Sequence, residues 1–322
     1  MEEGWRQGQR FEPNFSVFER LFKFRSHPEE SPERRLILFP VAIFLVIMSG
    51  LLHAIWNLFA KQSLNKAVFL WSIQWVAVFA FLPWALAGIW HRHIPLCGWL
   101  FLTVTVALHG IYVILLSRTY NAGDLSQVYP LMRGVSPLLV PLIGAFVLGE
   151  RLSVLGWIGV AGVVVGIWVL GNWRFGNRTF EPRLAPKAVW LALTVGISVT
   201  AYTTFDKVSL HYIPAATLNG ASNLGNLIAL SWSAAQSGAI KAEWRANWKT
   251  IILGGIISPG GYLLFLLALH MAPVAQLAPM REIGTVFGTI LGILVLKETQ
   301  GQRRIAAAGL IAAGVILLGT FG

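Results

Sequence analysis

Residues 127–150 read QVYPLMRGVSPLLVPLIGAFVLGE, and residues 276–298 read QLAPMREIGTVFGTILGILVLKE. Each stretch opens on a glutamine, passes a proline and an arginine, and runs through apolar residues to a glutamate. Arg133 and Glu150 lie 17 positions apart, as do Arg281 and Glu298, at a common offset of 148. Only the gap between proline and arginine differs, by one residue. A second correspondence lies upstream. Gly50, Phe59 and Lys61 match Gly196, Phe205 and Lys207 at an offset of 146, and the surroundings of Tyr112 echo those of Tyr262. Self-similarity at a fixed long offset is the signature of a duplicated architecture.

The rest of the chain says what was duplicated. It has 322 residues, 56% hydrophobic and only 12% charged, with a mean hydropathy of +0.65. A soluble domain carries about 25% charge, so a soluble enzyme, a nucleic-acid-binding domain and a disordered scaffold are all disfavoured. The charge is also segregated. Ten low-charge spans can be marked: Leu36–Ala60, Ala67–Trp90, Cys97–Ser117, Leu125–Leu148, Leu152–Leu170, Ala188–Phe205, Ile213–Ala235, Ile251–Met271, Val274–Leu296 and Ile305–Phe321. They hold three charges, Arg133, Arg281 and Glu282, and the remaining residues hold the other 36. Each span approaches the roughly 20 residues a helix needs to cross a bilayer. The runs are continuous, whereas a barrel strand alternates over about ten residues. Several tryptophans, among them Trp71, Trp90, Trp99, Trp157, Trp190 and Trp248, fall near span ends, where an indole suits the headgroup layer.

The predicted fold is therefore all-α, a polytopic membrane protein with ten transmembrane helices in two five-helix repeats. Five is odd, so the second repeat enters the membrane from the opposite side and the repeats are inverted. The predicted organisation is a polar N-terminal tail at 1–35, a first repeat at 36–171, a linker at 172–186 and a second repeat at 187–322. The tail is mixed in charge, with seven Lys/Arg and seven Glu, and reads as poorly ordered; its Phe15–Phe24 piece has an amphipathic pattern suited to a membrane surface. The first apolar run is too long for a cleavable signal and reads as a retained anchor. Loops opposite the N-terminus carry 13 Lys/Arg against 3 on its own side, but the tail adds 7 to that side. The positive-inside rule thus leaves both orientations open.

Inverted repeats are the arrangement that many secondary transporters use for alternating access, with substrate held between the repeats near the midplane. Arg133 and Arg281 are the first candidates for substrate contact. A cation at membrane depth costs about 2.5–3.5 kcal/mol on insertion scales and usually faces an interior cavity. Each follows a proline, which removes a helix donor, so irregular backbone there would line such a cavity. Two arginine forks suit a carboxylate or phosphate. The structural alternatives pair them with Glu282 or Asp206 as struts or let them snorkel to an interface. Glu282 is the one acid inside a span, read either as the partner of Arg281 or as a titrating group. His53, Trp56 and Asn57 share one helix face, and Tyr112, Tyr129, Tyr202 and Tyr262 offer aromatic walls with polar tips; cavity lining and interhelical packing both fit these seven. Asn219, Asn223 and Asn226 mark a polar face on the seventh span. Asp206 beside Lys207 reads as a local surface pair. Glu150 and Glu298 sit near helix C-termini, where the helix dipole disfavours a carboxylate, so each needs a structural partner.

Absent chemistry also narrows the reading. The net charge of +11 is spread over a tail and many loops, not gathered on one face, so nucleic acid is not an expected partner. Cys97 is the single cysteine, which excludes an intrachain disulfide and a Cys-rich metal site. There is no HExxH, GxSxG or Walker loop and no acidic cluster resembling a metal site. No enzyme activity and no cofactor are expected.

The motifs His53-Ala-Ile-Trp56-Asn57 with Lys61, Tyr129-Pro-Leu-Met-Arg133-Gly-Val-Ser-Pro137 with Leu148-Gly-Glu150, Tyr202-Thr-Thr-Phe-Asp206-Lys207, and Ala278-Pro-Met-Arg-Glu282 with Leu296-Lys-Glu298 resemble, in this order, the EamA family of the drug/metabolite transporter superfamily. The resemblance covers about residues 36–322. It implies a secondary carrier in the cytoplasmic (inner) membrane with both termini on the cytoplasmic side, and it does not select a substrate. The long tail departs from the usual short N-terminus. The expected function is transport of a small polar or anionic metabolite. The alternatives are a membrane scaffold or channel-like subunit and, further off, an intramembrane enzyme. The expected partners are a small-molecule substrate and the lipid bilayer, and both a monomer and a homodimer fit.

Overall fold

A computed structural model describes residues 32–122, 125–170, 186–295 and 302–322. The amphipathic piece at Phe15–Phe24, the linker and Glu298 lie outside these residues. The described residues form eleven helices and no strand: α1 Pro32–Gln62, α2 Lys66–His91, α3 Leu96–Ala122, α4 Leu125–Phe146, α5 Val154–Leu170, α6 Pro186–Ser209, α7 Ala215–Gln236, α8 Ile240–Met271, α9 Val274–Met280, α10 Ile283–Leu294 and α11 Gln302–Phe321.

Seven spans are long and apolar enough to cross a membrane: those of α1, α2, α3, α6, α8 and α11, and the joined α9 and α10; shorter apolar helices lie at Leu131–Phe146 and Val154–Leu170. The seventh predicted span, α7, is long enough but is not among the seven, because it carries Asn219, Asn223 and Asn226. Large apolar side chains such as Phe79, Trp84, Leu100, Phe146 and Ile228 stand exposed around the bundle. In water that much exposed apolar surface would drive association; facing lipid it costs nothing. The chain is a multi-pass membrane protein.

Local chemistry sets the helix ends. Asn65 caps α2, its side-chain oxygen accepting from Val68 N at 3.1 Å. After α4, Gly149 takes a left-handed φ of 68°, a conformation glycine adopts without steric cost. The chain reverses there and Glu150 N bonds back to Gly144 O at 2.9 Å. Between α9 and α10 the helix breaks. Pro279 lies inside α9 and the four-residue ladder continues past it, Arg281 N bonding to Leu277 O at 3.1 Å; the chain then crosses Arg281 and Glu282 on three-residue bonds: Glu282 N to Pro279 O at 3.0 Å, Gly284 N to Arg281 O at 3.1 Å and Thr285 N to Glu282 O at 2.8 Å. Arg133, by contrast, lies within the unbroken α4.

The helix pairings have a regularity. The most extensive are α5 with α11, α1 with α8, α2 with α7, α3 with α7, α4 with α6, α3 with α6, α10 with α1, α2 with α8 and α9 with α4. Exchange α1 to α5 with α6, α7, α8, the α9–α10 pair and α11, in that order. The pair α1–α8 becomes α6–α3, α2–α8 becomes α7–α3, and α10–α1 becomes α4–α6. The pairs α2–α7, α5–α11 and α4–α9 map onto themselves. The set of pairings is unchanged.

Small residues make these contacts close, as expected where helices associate without a hydrophobic driving force from water. On α7, a Cβ at Gly225 would stand 2.3 Å from Val106 O of α3; on α11, a Cβ at Gly314 would stand 2.6 Å from Gly159 O of α5. Gly225→Ala is expected to force α3 and α7 apart and to cost about 1–3 kcal/mol, the usual range for overpacking. Gly288 of α10 has nothing within 4 Å of an added Cβ, so Gly288→Ala is expected to be neutral or slightly stabilising. Thermal unfolding of both variants in detergent checks the contrast.

Candidate functional site

A cleft lies between the two sets of helices, enclosing about 680 Å³ of space free of protein atoms when its open mouth is included. Its walls come from α1, α3 and α4 and from their exchange counterparts α6, α8 and α9 with the break that follows. His53, Trp56 and Asn57 line it from α1, Tyr112 from α3, Arg133 from α4, Tyr202 from α6, and Arg281 and Glu282 from the break. Eight of the ten residues singled out from sequence therefore meet in one cleft. Tyr262 stands just behind its wall, and the side chain of Tyr129 lies outside the described ones.

The α1 face is internally ordered. Trp56 Nε1 donates to His53 Nδ1 at 3.2 Å, with the rings edge to face at 5.2 Å, and Asn57 Nδ2 donates to the His53 carbonyl at 2.8 Å. The indole reserves Nδ1 as an acceptor, so a neutral imidazole carries its proton on Nε2.

The two arginines are not equivalent. Arg133 Nε lies 3.5 Å from Glu282 Oε2, a carboxylate that also accepts from Thr285 Oγ1 at 3.3 Å. Glu282 thus pairs with the arginine of the other half, not with its sequence neighbour Arg281. The Arg281 guanidinium lies over two aromatic faces, 4.4 Å from the Phe265 ring centroid and 5.3 Å from that of Tyr262. Ring quadrupoles attract a cation in this way without neutralising it. Among the described residues Arg281 makes no ion pair, and its Nε is buried without a hydrogen-bond partner. The cleft therefore holds one arginine balanced by a carboxylate and one backed only by aromatic rings.

The surface pair expected at Asp206 and Lys207 does not form. Asp206 is fully buried and accepts from Thr105 Oγ1 at 3.1 Å and Tyr262 Oη at 2.5 Å, with His109 Nε2 at 2.9 Å. Lys207 turns the other way and donates to the carbonyls of Leu269 and Ala272, at 2.6 and 2.9 Å. It neutralises the partial negative charge at the end of α8. Consecutive helix residues point in different directions, which separates the two. His109 was not singled out from sequence; the available signal was an imidazole in the middle of an otherwise apolar span.

The remaining expected residues have structural placements. Glu150 accepts from Val274 N at 2.9 Å and Ala275 N at 2.8 Å, capping α9 across the two halves. That supplies the partner its position required, and the reversal at Gly149 aims it there. Gln276 of α9 donates to the Leu318 carbonyl. Asn219 and Asn223 are buried outside the cleft, where Asn223 Nδ2 donates to the Asn219 carbonyl at 2.7 Å. Trp90 and Trp190 are exposed, whereas Trp71 turns inward and donates to Ser231 Oγ at 3.1 Å.

Comparison with known proteins follows the same division of the chain. A family model described as the EamA-like transporter family matches residues 40–172 and again residues 186–320. An "Uncharacterized transporter in cobO 3'region" from Sinorhizobium sp is 29% identical over 134 residues, covering 39% of this chain and 94% of the relative. A solved chain described only as "Crystal structure of protein" superimposes with a TM-score of 0.66 over 86% of this chain and 94% of its own length. Its 17% identity makes that a likeness of fold alone.

Proposed function

The chain belongs to the EamA-like transporter family, and from that premise we propose that it is a secondary carrier for a small anionic or polar metabolite, working by alternating access in the cytoplasmic (inner) membrane. The observation that carries the substrate class is Arg281. A guanidinium at membrane depth, lining a cleft and matched by aromatic faces instead of a carboxylate, is a prepared site for an anion, which would supply the missing charge and the missing acceptor. Arg133 already has the Glu282 carboxylate 3.5 Å away as its counter-charge, so one carboxylate group, not two, is the natural occupant.

The exchange of helix pairings supports the proposed mechanism. In this reading the spans number ten, α7 included, and the halves are inverted five-helix repeats. The cleft is lined by counterpart helices of both halves, so rocking one half against the other opens it to each side in turn. The break at Arg281–Glu282 supports this reading, because discontinuous helices at membrane depth characterise substrate sites in such carriers.

The test is uptake of a radiolabelled mixture of the standard amino acids and polyhydroxy monocarboxylic acids by proteoliposomes holding the purified chain. Saturable uptake of at least one component, competed by the unlabelled compound, is expected. Uptake no greater than in protein-free liposomes overturns the proposed substrate class, and a scaffold would give that result for every solute tried.

A further inference from the structure

The buried cluster at Asp206 lies outside the cleft lining but touches it through two side chains. Tyr262 joins them directly: its hydroxyl donates to Asp206 Oδ2 at 2.5 Å while its ring lies 5.3 Å from the Arg281 guanidinium. Tyr202 lines the cleft and stacks on His109 with ring centroids 4.3 Å apart. We infer that the Asp206–His109 pair, with Tyr262 as its link to the cleft, is a proton-binding site that loads when an anion occupies Arg281.

The argument is a charge balance in a medium of low dielectric. Counting Arg133 and Arg281 as positive and Glu282 and Asp206 as negative, the charges around the cleft sum to zero. A bound carboxylate adds one negative charge, and isolated charge is costly at membrane depth. One proton taken up by the pair restores neutrality, whether it resides on the imidazole or the carboxyl. Binding of solute and proton then favour one another by the same factor. The groups facing Asp206 fit this role. From α3 it meets His109 and the Thr105 hydroxyl, and from α8 the Tyr262 hydroxyl. On its own helix Tyr202 lies within electrostatic reach of Asp206 and of both cleft arginines, Arg133 on α4 and Arg281 beyond α9. Lys207 is turned to the α8 carbonyls and makes no ion pair with Asp206. Among the described residues His109 is the one basic group within hydrogen-bonding distance of it.

The inference rests on the carrier reading for its coupling role, but the proton site itself can be tested without a solute. The full chain, isotope-labelled on histidine and held in detergent micelles, is titrated by nitrogen NMR across the pH range in which it stays folded. The His109 signal, identified by its loss in His109→Gln, is expected to move in one step that Asp206→Asn shifts or removes. Tyr262→Phe, which deletes one donor and little volume, is expected to displace the midpoint. It serves as the second variant should Asp206→Asn fail to fold. A His109 signal insensitive to pH, or a midpoint unmoved by Tyr262→Phe, overturns the site. In proteoliposomes given the polyhydroxy monocarboxylic acids of that mixture, a pH gradient, acid on the side of entry, is expected to accelerate uptake several-fold. Uptake equal with and without the gradient overturns the coupling. No uptake at all counts against the proposed function, while the NMR titration still decides the proton site.

Discussion

Arg281→Ala protein is expected to accumulate in the membrane at the wild-type level and to lose transport by about ten- to a hundredfold, the factor that one charge-assisted hydrogen-bond set supports. The two halves of this expectation have separate causes. Folding survives because Arg281 makes no ion pair among the described residues and is packed on the faces of Phe265 and Tyr262, so its removal strands no buried carboxylate. Transport fails because the cleft then offers an anion only Arg133, which Glu282 already holds at 3.5 Å. Arg281→Lys should fall between, retaining the charge but losing the planar fork and its fit over the rings. The check is membrane abundance by immunoblot alongside uptake by reconstituted protein. Wild-type transport by a well-folded Arg281→Ala variant would remove Arg281 from the site.

The second large effect is expected at Arg133 and Glu282, where order of removal matters. Breaking a buried ion pair at one end leaves the other charge uncompensated and can cost about 3–5 kcal/mol. The Arg133 side chain is 18% exposed and that of Glu282 7%, so the cost here is expected to be lower, about 1–3 kcal/mol for Glu282→Gln. Arg133→Gln combined with Glu282→Gln removes both charges together. This double variant is expected to recover most of the lost stability, since neutralising a whole pair is far cheaper than halving it. Thermal unfolding of the two single variants and the double variant forms the cycle that isolates the pair. A double variant as unstable as the sum of the singles would show that the two residues do not depend on each other.

The particular residues show how far sequence reasoning reached. Arg133, Arg281 and Glu282 stood out because charge within an apolar span is costly and so rarely accidental. His53, Trp56 and Asn57 were legible as a unit because helical spacing alone puts them on one face. The same kind of reasoning failed at Asp206. Adjacency to Lys207 suggested a pair, but neighbouring helix positions differ in direction by about 100°. One side chain therefore reaches α3 and the middle of α8, and the other reaches the end of α8. Partner choice was equally hidden at Glu282, which lies next to Arg281 in sequence yet forms its ion pair with Arg133 of the other half. His109 was overlooked because a lone imidazole carries no pattern until its partner from another helix is known.

The sequence by itself determined the membrane environment, the all-helical class and the duplication, because these follow from hydropathy, period and spacing along one chain. It also determined which few side chains were costly enough in a membrane to need a purpose. Only the tertiary structure decided how those charges were distributed: Arg133 neutralised, Arg281 left to aromatic faces, and Asp206 buried among donors from α3 and α8. The physical reason is that burial and pairing depend on helices far apart in the chain. Their side-chain directions are fixed when the helices pack, and no local pattern records them.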